Sequence, residues 1–217
     1  MKIESGGIFF MNFKKIFISS ILAGFCIGLG GMLFLAMDDK VIGASLFSTG
    51  LFVICTNGYH LFTGKVCYAF QNDASYAATL PVIWIGNLIG TGGVAAIVRL
   101  SRAKGLAEKA ASICEVKAND SLLSLFLLGI LCNIFIFIAV DGFKNDQHEI
   151  AKYAAIFLGV VGFILCGAEH CVADMFYYHV AGAWSVDMLI RLLVITAGNV
   201  VGGIVAERLR TIVVANT

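Results

Sequence analysis

The feature that most constrains this chain is a series of apolar runs, each long enough to cross a lipid bilayer. A transmembrane helix needs about 20 apolar residues. Six segments meet this length, of which two are interrupted by polar residues: Ile16–Met37, Val41–Phe70, Tyr76–Val98, Leu122–Val140, Ile150–Tyr178 and Ser185–Ala206. Only 13% of the residues are charged, against about 25% in a soluble domain. The sequence therefore predicts an all-α membrane protein with six transmembrane helices.

The second and fifth of these segments carry polar interruptions, at Asn57–Lys65 and at Gly167–Asp174. A break in a helix leaves backbone groups unpaired, and the bilayer tolerates this only where protein or a water-filled cavity surrounds them. The alternative is that glycine-rich kinks merely help the helices to pack. Because the two breaks are paired and contain ionisable residues, we expect them to line a pathway.

The two halves of the chain resemble each other. Gly86 and Asn87 of the third segment are repeated as Gly198 and Asn199 of the sixth, at an offset of 198 − 86 = 112 residues. Two units of three spans each must have opposite orientations, and such inverted repeats with broken helices are typical of transport proteins. We predict a single transmembrane domain over 1–217. Its halves are approximately 1–98 and 118–217, and an amphipathic connection over 99–117 joins them.

The polar residues of the breaks are the candidate transport site. His170 lies between Glu169 and Asp174, and its imidazole can donate a hydrogen bond or exchange a proton near neutral pH. A lone histidine in an apolar helix is more often part of the core, but two neighbouring carboxylates favour a function. Thr63 of the other break is its expected partner across the pathway.

Large apolar residues beside the breaks, namely Leu61, Phe62 and Phe163, are candidate constrictions that exclude hydrated ions. Lys117 precedes the fourth span, where it either attracts anions into a vestibule or is simply solvated. Lysines near the N-terminus, together with Arg208 and Arg210, weakly favour cytoplasmic termini.

Little in the sequence suggests a metal or a cofactor. The seven cysteines form no C-x-x-C pair and are interpreted as packed thiols. A metal site built from Cys166, His170 and Cys171 is disfavoured because adjacent residues point to different helix faces. A haem would need His60 and His170 as axial ligands. We therefore predict no metal and no cofactor, and a net charge of +1 gives no reason to expect nucleic acid.

Three stretches resemble the formate/nitrite transporter family, and the resemblance covers essentially the whole chain. They are Leu61–Gly64, Gly167–Phe176, and Gly198-Asn199 with the glycines that follow. The resemblance implies a homopentamer in the cell (inner) membrane, with an aquaporin-like pore of six helices, two of them interrupted, in each subunit and with cytoplasmic termini. It also implies roles for particular residues: a central His170 with Thr63, an inner constriction of Leu61, Phe163 and Ile136, an outer constriction of Phe47 and Leu51, a vestibule Lys117, and pore-associated Asn133 and Asn199.

Three residues depart from the family pattern as the resemblance gives it. His60 stands where an acidic residue is common, Lys65 where an asparagine is common, and Asp174 where an asparagine is common. The predicted function is a channel or transporter for a small monovalent weak-acid anion (formate, nitrite or hydrosulfide), and not an enzyme. The alternative is a neutral-solute channel for water or glycerol. Such pores typically pair two Asn-Pro-Ala motifs, and the only proline here is Pro81.

Overall fold

The structure is a computed structural model that describes the backbone of residues 5–215 and the side chains from residue 13 onward. All regular structure in that range is helical. The α-helices are α1 (Ser5–Ala36), α2 (Lys40–Asn57), α3 (Phe62–Val66), α4 (Ala74–Leu100), α5 (Leu106–Asn119), α6 (Leu122–Asn145), α7 (Glu149–Leu165), α8 (Cys171–Ala181) and α9 (Val186–Val214). Two short 3₁₀ helices, Ala69–Gln71 and Arg102–Gly105, precede α4 and α5.

Five helices of the described chain are long and apolar enough to cross a membrane: α1, α2, α4, α6 and α9. Two of them run further than the sequence analysis predicts. The helix α6 continues to Asn145 instead of ending at Val140, and α9 continues to Val214 instead of Ala206. The apolar pattern marks only the part of a helix that lies in hydrocarbon, whereas backbone hydrogen bonding continues through the polar residues beyond it.

Glycines with left-handed backbone geometry end the helices that lead into the two polar stretches. Gly58 follows α2 and Gly167 follows α7, each with φ of 69°. This conformation carries no steric penalty for glycine and is a common way to end a helix. The chain then resumes helical geometry at α3 and at α8, so a short loop, residues 58–61 or 166–170, lies between the two helices at each polar stretch.

The packing of the first half is repeated in the second. The helix α1 packs mainly on α4 and α2, while α6 packs mainly on α9 and α7, and α2 and α7 contact each other. Glycines permit the close approaches. A Cβ atom at Gly90 would lie 2.0 Å from the carbonyl oxygen of Ile21, and one at Gly202 would lie 2.2 Å from that of Ile130. Close backbone contact of this kind is how helices associate in lipid.

The helices α2 and α7 are antiparallel, since the Lys40 ammonium at the start of α2 donates to the Leu165 carbonyl at the end of α7. The end of the molecule that holds Asn57 also holds Lys14 and Lys15 of α1. At the same end, Arg208 of α9 donates to the carbonyl of Phe70, which lies in the short 3₁₀ helix that follows α3. We call this the terminal end, because α1 begins and α9 ends there, and the opposite end the distal end.

Candidate functional site

Asn87 of α4 holds the loop between α2 and α3. Its Oδ1 accepts from the backbone N–H of Phe62 at 2.8 Å, and its Nδ2 donates to the carbonyls of His60 at 3.0 Å and Ser20 of α1 at 2.7 Å. The side chain is fully buried. It therefore supplies the partners that a broken helix loses in an apolar environment.

Asn199 of α9 does the same for the loop between α7 and α8. Its Oδ1 accepts from the backbone N–H of Cys171 at 2.9 Å, and its Nδ2 donates to the carbonyls of Glu169 and of Gly129 in α6, each at 2.8 Å. The three bonds thus reach one carbonyl of the loop, the N–H of the first residue of the helix that follows the loop, and one carbonyl of a neighbouring helix, as at Asn87. Asn199 was expected beside the pore; its polar atoms are occupied by backbone groups.

Asn87 is not among the site residues predicted from the sequence. The signal was present, because Asn87 occupies the same position in its glycine-rich stretch as Asn199 does. Two asparagines at matching positions of a repeat indicate matching structural tasks, and here the task is to hold a loop open.

His170 and Thr63 meet between the two loops. The distance from His170 Nε2 to Thr63 Oγ1 is 2.9 Å, and both residues are buried. His170 Nδ1 accepts from the backbone N–H of Ala173 at 3.1 Å, so the imidazole also caps the first turn of α8. Because Nδ1 is an acceptor there, the ring is neutral with its proton on Nε2. That N–H points at the Thr63 hydroxyl.

A cavity of about 630 Å³ opens on the terminal side of this pair. Its walls come from the end of α2, from α3 and from the last turn of α6, and they include Leu51, Leu61, Lys65 and Lys144. We call it the terminal cavity. Its remaining polar lining consists of neutral side chains, namely Cys55, Tyr59, Tyr68, Gln71, Asn72 and Tyr76.

A smaller cavity of about 250 Å³ lies on the distal side. Its walls include Phe163, Lys117, Glu169, His170 and Asp174. We call it the distal cavity. The His170–Thr63 pair therefore has an open space on each side, with large apolar residues lining each approach.

The structure groups the apolar candidates differently from the expected inner and outer sets. Phe47, expected with Leu51 at the outer constriction, instead contacts Phe163 with ring centroids 6.0 Å apart. Leu51 lies with Leu61 in the wall of the terminal cavity. Since Leu51 is one helical turn beyond Phe47 towards the end of α2, its side chain reaches the terminal side. Ile136 is buried and lines neither cavity.

Lys117 is not the free vestibule cation that the sequence suggests. Its ammonium group pairs with Glu169 Oε2 and lies 2.9 Å from Asp174 Oδ1. All three side chains are buried, and Asp174 Oδ2 has no hydrogen-bond partner. We call these residues the buried triad. With both carboxylates ionised it carries a net charge of −1, so it does not present positive charge to the distal cavity.

Two further predicted residues serve the scaffold. Asn133 of α6 donates through Nδ2 to the carbonyls of Asn199 at 2.7 Å and Thr63 at 3.1 Å, which ties three elements together. Phe62 is buried, lines neither cavity, and gives its backbone N–H to Asn87. The structure therefore brings His170 and Thr63 to the space between the cavities and keeps Asn133 and Phe62 behind it.

The two histidines that a haem would need as axial ligands are engaged separately. His60 Nδ1 lies 2.7 Å from Ser19 Oγ, and both nitrogens of His170 have the partners described above. The described residues contain no group of three or more His, Cys, Asp or Glu side chains placed to hold a metal. The cysteines are free; Cys166 is exposed and Cys55 half-buried, so not all are packed thiols.

Comparison with known proteins agrees with this architecture. The family model described as formate/nitrite transporter matches residues 8–210. This match assigns the chain, a multi-pass helical membrane protein with a polar pair between two cavities, to a family of transporters. The chain belongs to the formate/nitrite transporter family, and this confirms that it is a transport protein and not an enzyme.

Individual relatives have low sequence identity to this chain, but the alignments cover most of it. The nitrite transporter NirC of Salmonella typhimurium is 28% identical over 213 residues, covering 87% of this chain and 78% of its own length. The formate channel FocA of Haemophilus influenzae is 26% identical over 181 residues, covering 74% of this chain and 64% of its own length.

Two solved structures share the fold. One described as an FNT family ion channel superposes with a TM-score of 0.77 at 26% identity, covering 88% of this chain and 86% of that chain. One described as a pentameric formate channel with formate bound superposes with a TM-score of 0.80 at 23% identity, covering 95% and 99%.

Proposed function

We propose that this protein is a pore for a small monovalent weak-acid anion of the formate, nitrite and hydrosulfide class. The observation that carries the proposal is the buried His170–Thr63 pair, which has a cavity on each side. A bare anion loses much hydration in a narrow apolar pore. The Nε2–H of His170 is a donor that replaces part of that hydration between the two cavities. The names of the matched relatives, a nitrite transporter and formate channels, support this substrate class.

Two routes connect His170 to transport. In the first, the neutral ring donates its Nε2–H to the anion, and the Thr63 hydroxyl gives way or donates as well. In the second, His170 passes a proton to the anion, and the neutral acid crosses. The second route requires Nδ1 to take a proton, which breaks its bond with the Ala173 N–H. The hydrogen bond therefore favours donation over relay.

The proposed topology has six crossings in an inverted repeat. Four crossings are α1, α4, α6 and α9, the second consists of α2 with α3, and the fifth of α7 with α8. The matching asparagine bonds at Asn87 and Asn199 support it. The repeat halves are approximately 1–98 and 118–217, with 99–117 joining them across the distal end. We propose a homopentamer in the cell membrane with cytoplasmic termini, so that the terminal cavity opens to the cytoplasm. The pentameric formate channel of matching fold supports the assembly.

A neutral-solute pore is the second candidate, and the structure gives it less support. The loop at α3 presents the Lys65 amine to a cavity, and the loop at α8 is followed by a charged triad. Charged walls attract or repel ions and give a pore for water or glycerol no advantage.

The test replaces His170 by Phe and measures formate flux into proteoliposomes at pH 5 and pH 7. Loss of a hydrogen bond to a charged group costs about 1.5–3 kcal/mol, so we expect flux to fall by at least about tenfold at both pH values. The matched control is His148→Gln, since His148 is exposed in the connection between α6 and α7. Unchanged flux would refute the central role of His170.

The same assay separates the two routes and the two candidate functions. A residual flux with the wild-type pH profile supports donation, whereas a flattened profile supports relay. Fast osmotic swelling in glycerol without flux of formate, nitrite or hydrosulfide would favour the neutral-solute pore.

A further inference from the structure

The terminal cavity contains two ammonium groups and no lining carboxylate. Lys65 projects from the last turn of α3 and Lys144 from the last turn of α6, and both line the cavity. Among the described side chains, neither ammonium lies within ion-pair distance of a carboxylate. Lys144 lies over the ring of Tyr68, with its Nζ 4.7 Å from the ring centroid.

The nearest acidic residues are occupied elsewhere. Asp141 accepts from the Tyr68 hydroxyl at 3.1 Å and pairs with Arg210 at 2.6 Å. Glu207 accepts from Gln71 and from Thr211. Neither carboxylate lines the cavity. The charged side chains that line the terminal cavity are therefore the two lysines alone.

The backbone and the aromatic residues hold these lysines in place. The hydroxyl of Tyr76 donates to the carbonyl of Lys65 at 2.7 Å, which fixes the end of α3. The half-buried Lys65 and the ring-stacked Lys144 repel each other. An anion between them relieves that repulsion and is attracted by both. A cavity with low-dielectric walls and one sign of charge concentrates ions of the opposite sign.

We infer that Lys65 and Lys144 form a binding site for small anions in the terminal cavity, which collects the permeating ion before it reaches Leu61 and Thr63. The inference rests on the proposed function, because it assigns the site to the anion that the pore carries. The ammonium groups face an open, partly aqueous space, where water screens their attraction. A small anion bound there is held loosely enough to move on.

The test measures formate flux against formate concentration for Lys65→Gln, Lys144→Gln and the double variant in proteoliposomes. We expect the concentration for half-maximal flux to rise several-fold for each single variant and about tenfold for the double variant, with maximal flux retained. Because the sites are charged, the wild-type value also rises when an impermeant salt raises ionic strength from about 0.01 to 0.15 M. The double variant loses most of this salt dependence.

Two controls separate a charge effect from a structural one. Lys65→Arg with Lys144→Arg keeps both charges and is expected to behave like the wild type. Lys104→Gln removes an exposed lysine of the α4–α5 connection, outside both cavities, and is expected to change nothing.

The outcomes distinguish the two proposals. If the wild-type protein carries none of formate, nitrite or hydrosulfide, the proposed function fails. If the wild type carries formate and the double variant matches Lys104→Gln in half-saturation and salt dependence, the anion site alone is refuted.

Discussion

The two ends of the proposed pathway are built on the same scaffold and carry different charge. At the terminal end, Lys65 and Lys144 line the cavity without an ion-pair partner in the described chain. At the distal end, Lys117 is buried between two carboxylates, and the Lys40 ammonium in the same cavity wall donates to the Leu165 carbonyl. A lysine near a pore is therefore not by itself an attraction for anions, since its neighbours decide what field the cavity receives.

The hydrogen bonds that hold the two loops are nearly identical at the two ends. In each half, a fully buried asparagine gives its Oδ1 to a loop N–H and its Nδ2 to two carbonyls. Glycines in the flanking helices bring the backbones together at matching positions. Structure that only holds the loops is thus repeated, and residues that face the cavities are free to differ.

The largest expected effect comes from removing the cation of the buried triad. Lys117→Met leaves Glu169 and Asp174 facing each other without a counter-charge, and breaking a buried ion pair costs about 3–5 kcal/mol. We expect a strongly lowered yield and thermal midpoint of the protein in detergent.

The combination Lys117→Met, Glu169→Gln and Asp174→Asn removes all three charges, and it should restore much of the lost stability. By contrast, Lys144→Met at the other end separates no ion pair and should leave the thermal midpoint near that of the wild type. If Lys117→Met and Lys144→Met lowered the thermal midpoint equally, the contrast between a paired and an unpaired lysine at the two ends would be contradicted.

The next effect concerns the shared scaffold. Asn87→Ala and Asn199→Ala each remove three hydrogen bonds to buried backbone groups, and an unsatisfied buried group costs about 1–3 kcal/mol. We expect each variant to be destabilised by a few kcal/mol and by similar amounts, as measured by thermal unfolding in detergent. A suitable control is Asn72→Ala, because Asn72 is exposed and bonds only to the carbonyl of Tyr68. A large loss of stability for one of the two asparagine variants and none for the other would show that the two loops are not equivalent.

The smallest expected effect concerns the charge of the distal cavity. Asp174→Asn leaves Lys117 paired with Glu169 alone. With both carboxylates of the wild type ionised, the charge of the triad changes from −1 to zero. An anion entering the distal cavity is then repelled less. We expect the formate concentration for half-maximal uptake from the distal side to fall a few-fold, with thermal stability retained.

The measurement is formate uptake by proteoliposomes in which one orientation has been selected. The charge change at Asp174 is the reverse of that at Lys65→Gln, so the two variants should shift half-saturation in opposite directions and at opposite faces. If both variants shifted half-saturation in the same direction, the opposite charges assigned to the terminal and distal cavities would be contradicted.

Several properties were readable from the sequence because each depends on a local or compositional rule. The length of the apolar runs predicts membrane helices, as five helices of the described chain bear out. Glycines and polar residues locate the loops after Asn57 and after Leu165, because an unpaired backbone N–H or carbonyl group costs free energy anywhere in hydrocarbon. The repeated Gly-Asn pair indicates two matching halves, and the quoted stretches lead to the family that the family model confirms.

What the tertiary structure alone decided is which side chains meet. Leu51 and Phe47 are one turn apart in sequence, yet only the fold places Phe163 against Phe47 and the terminal cavity beside Leu51. Lys117 and Lys65 are both lysines near polar loops, but only the fold brings Glu169 and Asp174 to the first and leaves the second without an ion pair. The membrane constrains composition along the chain, whereas electrostatic fields depend on distances between residues far apart in it.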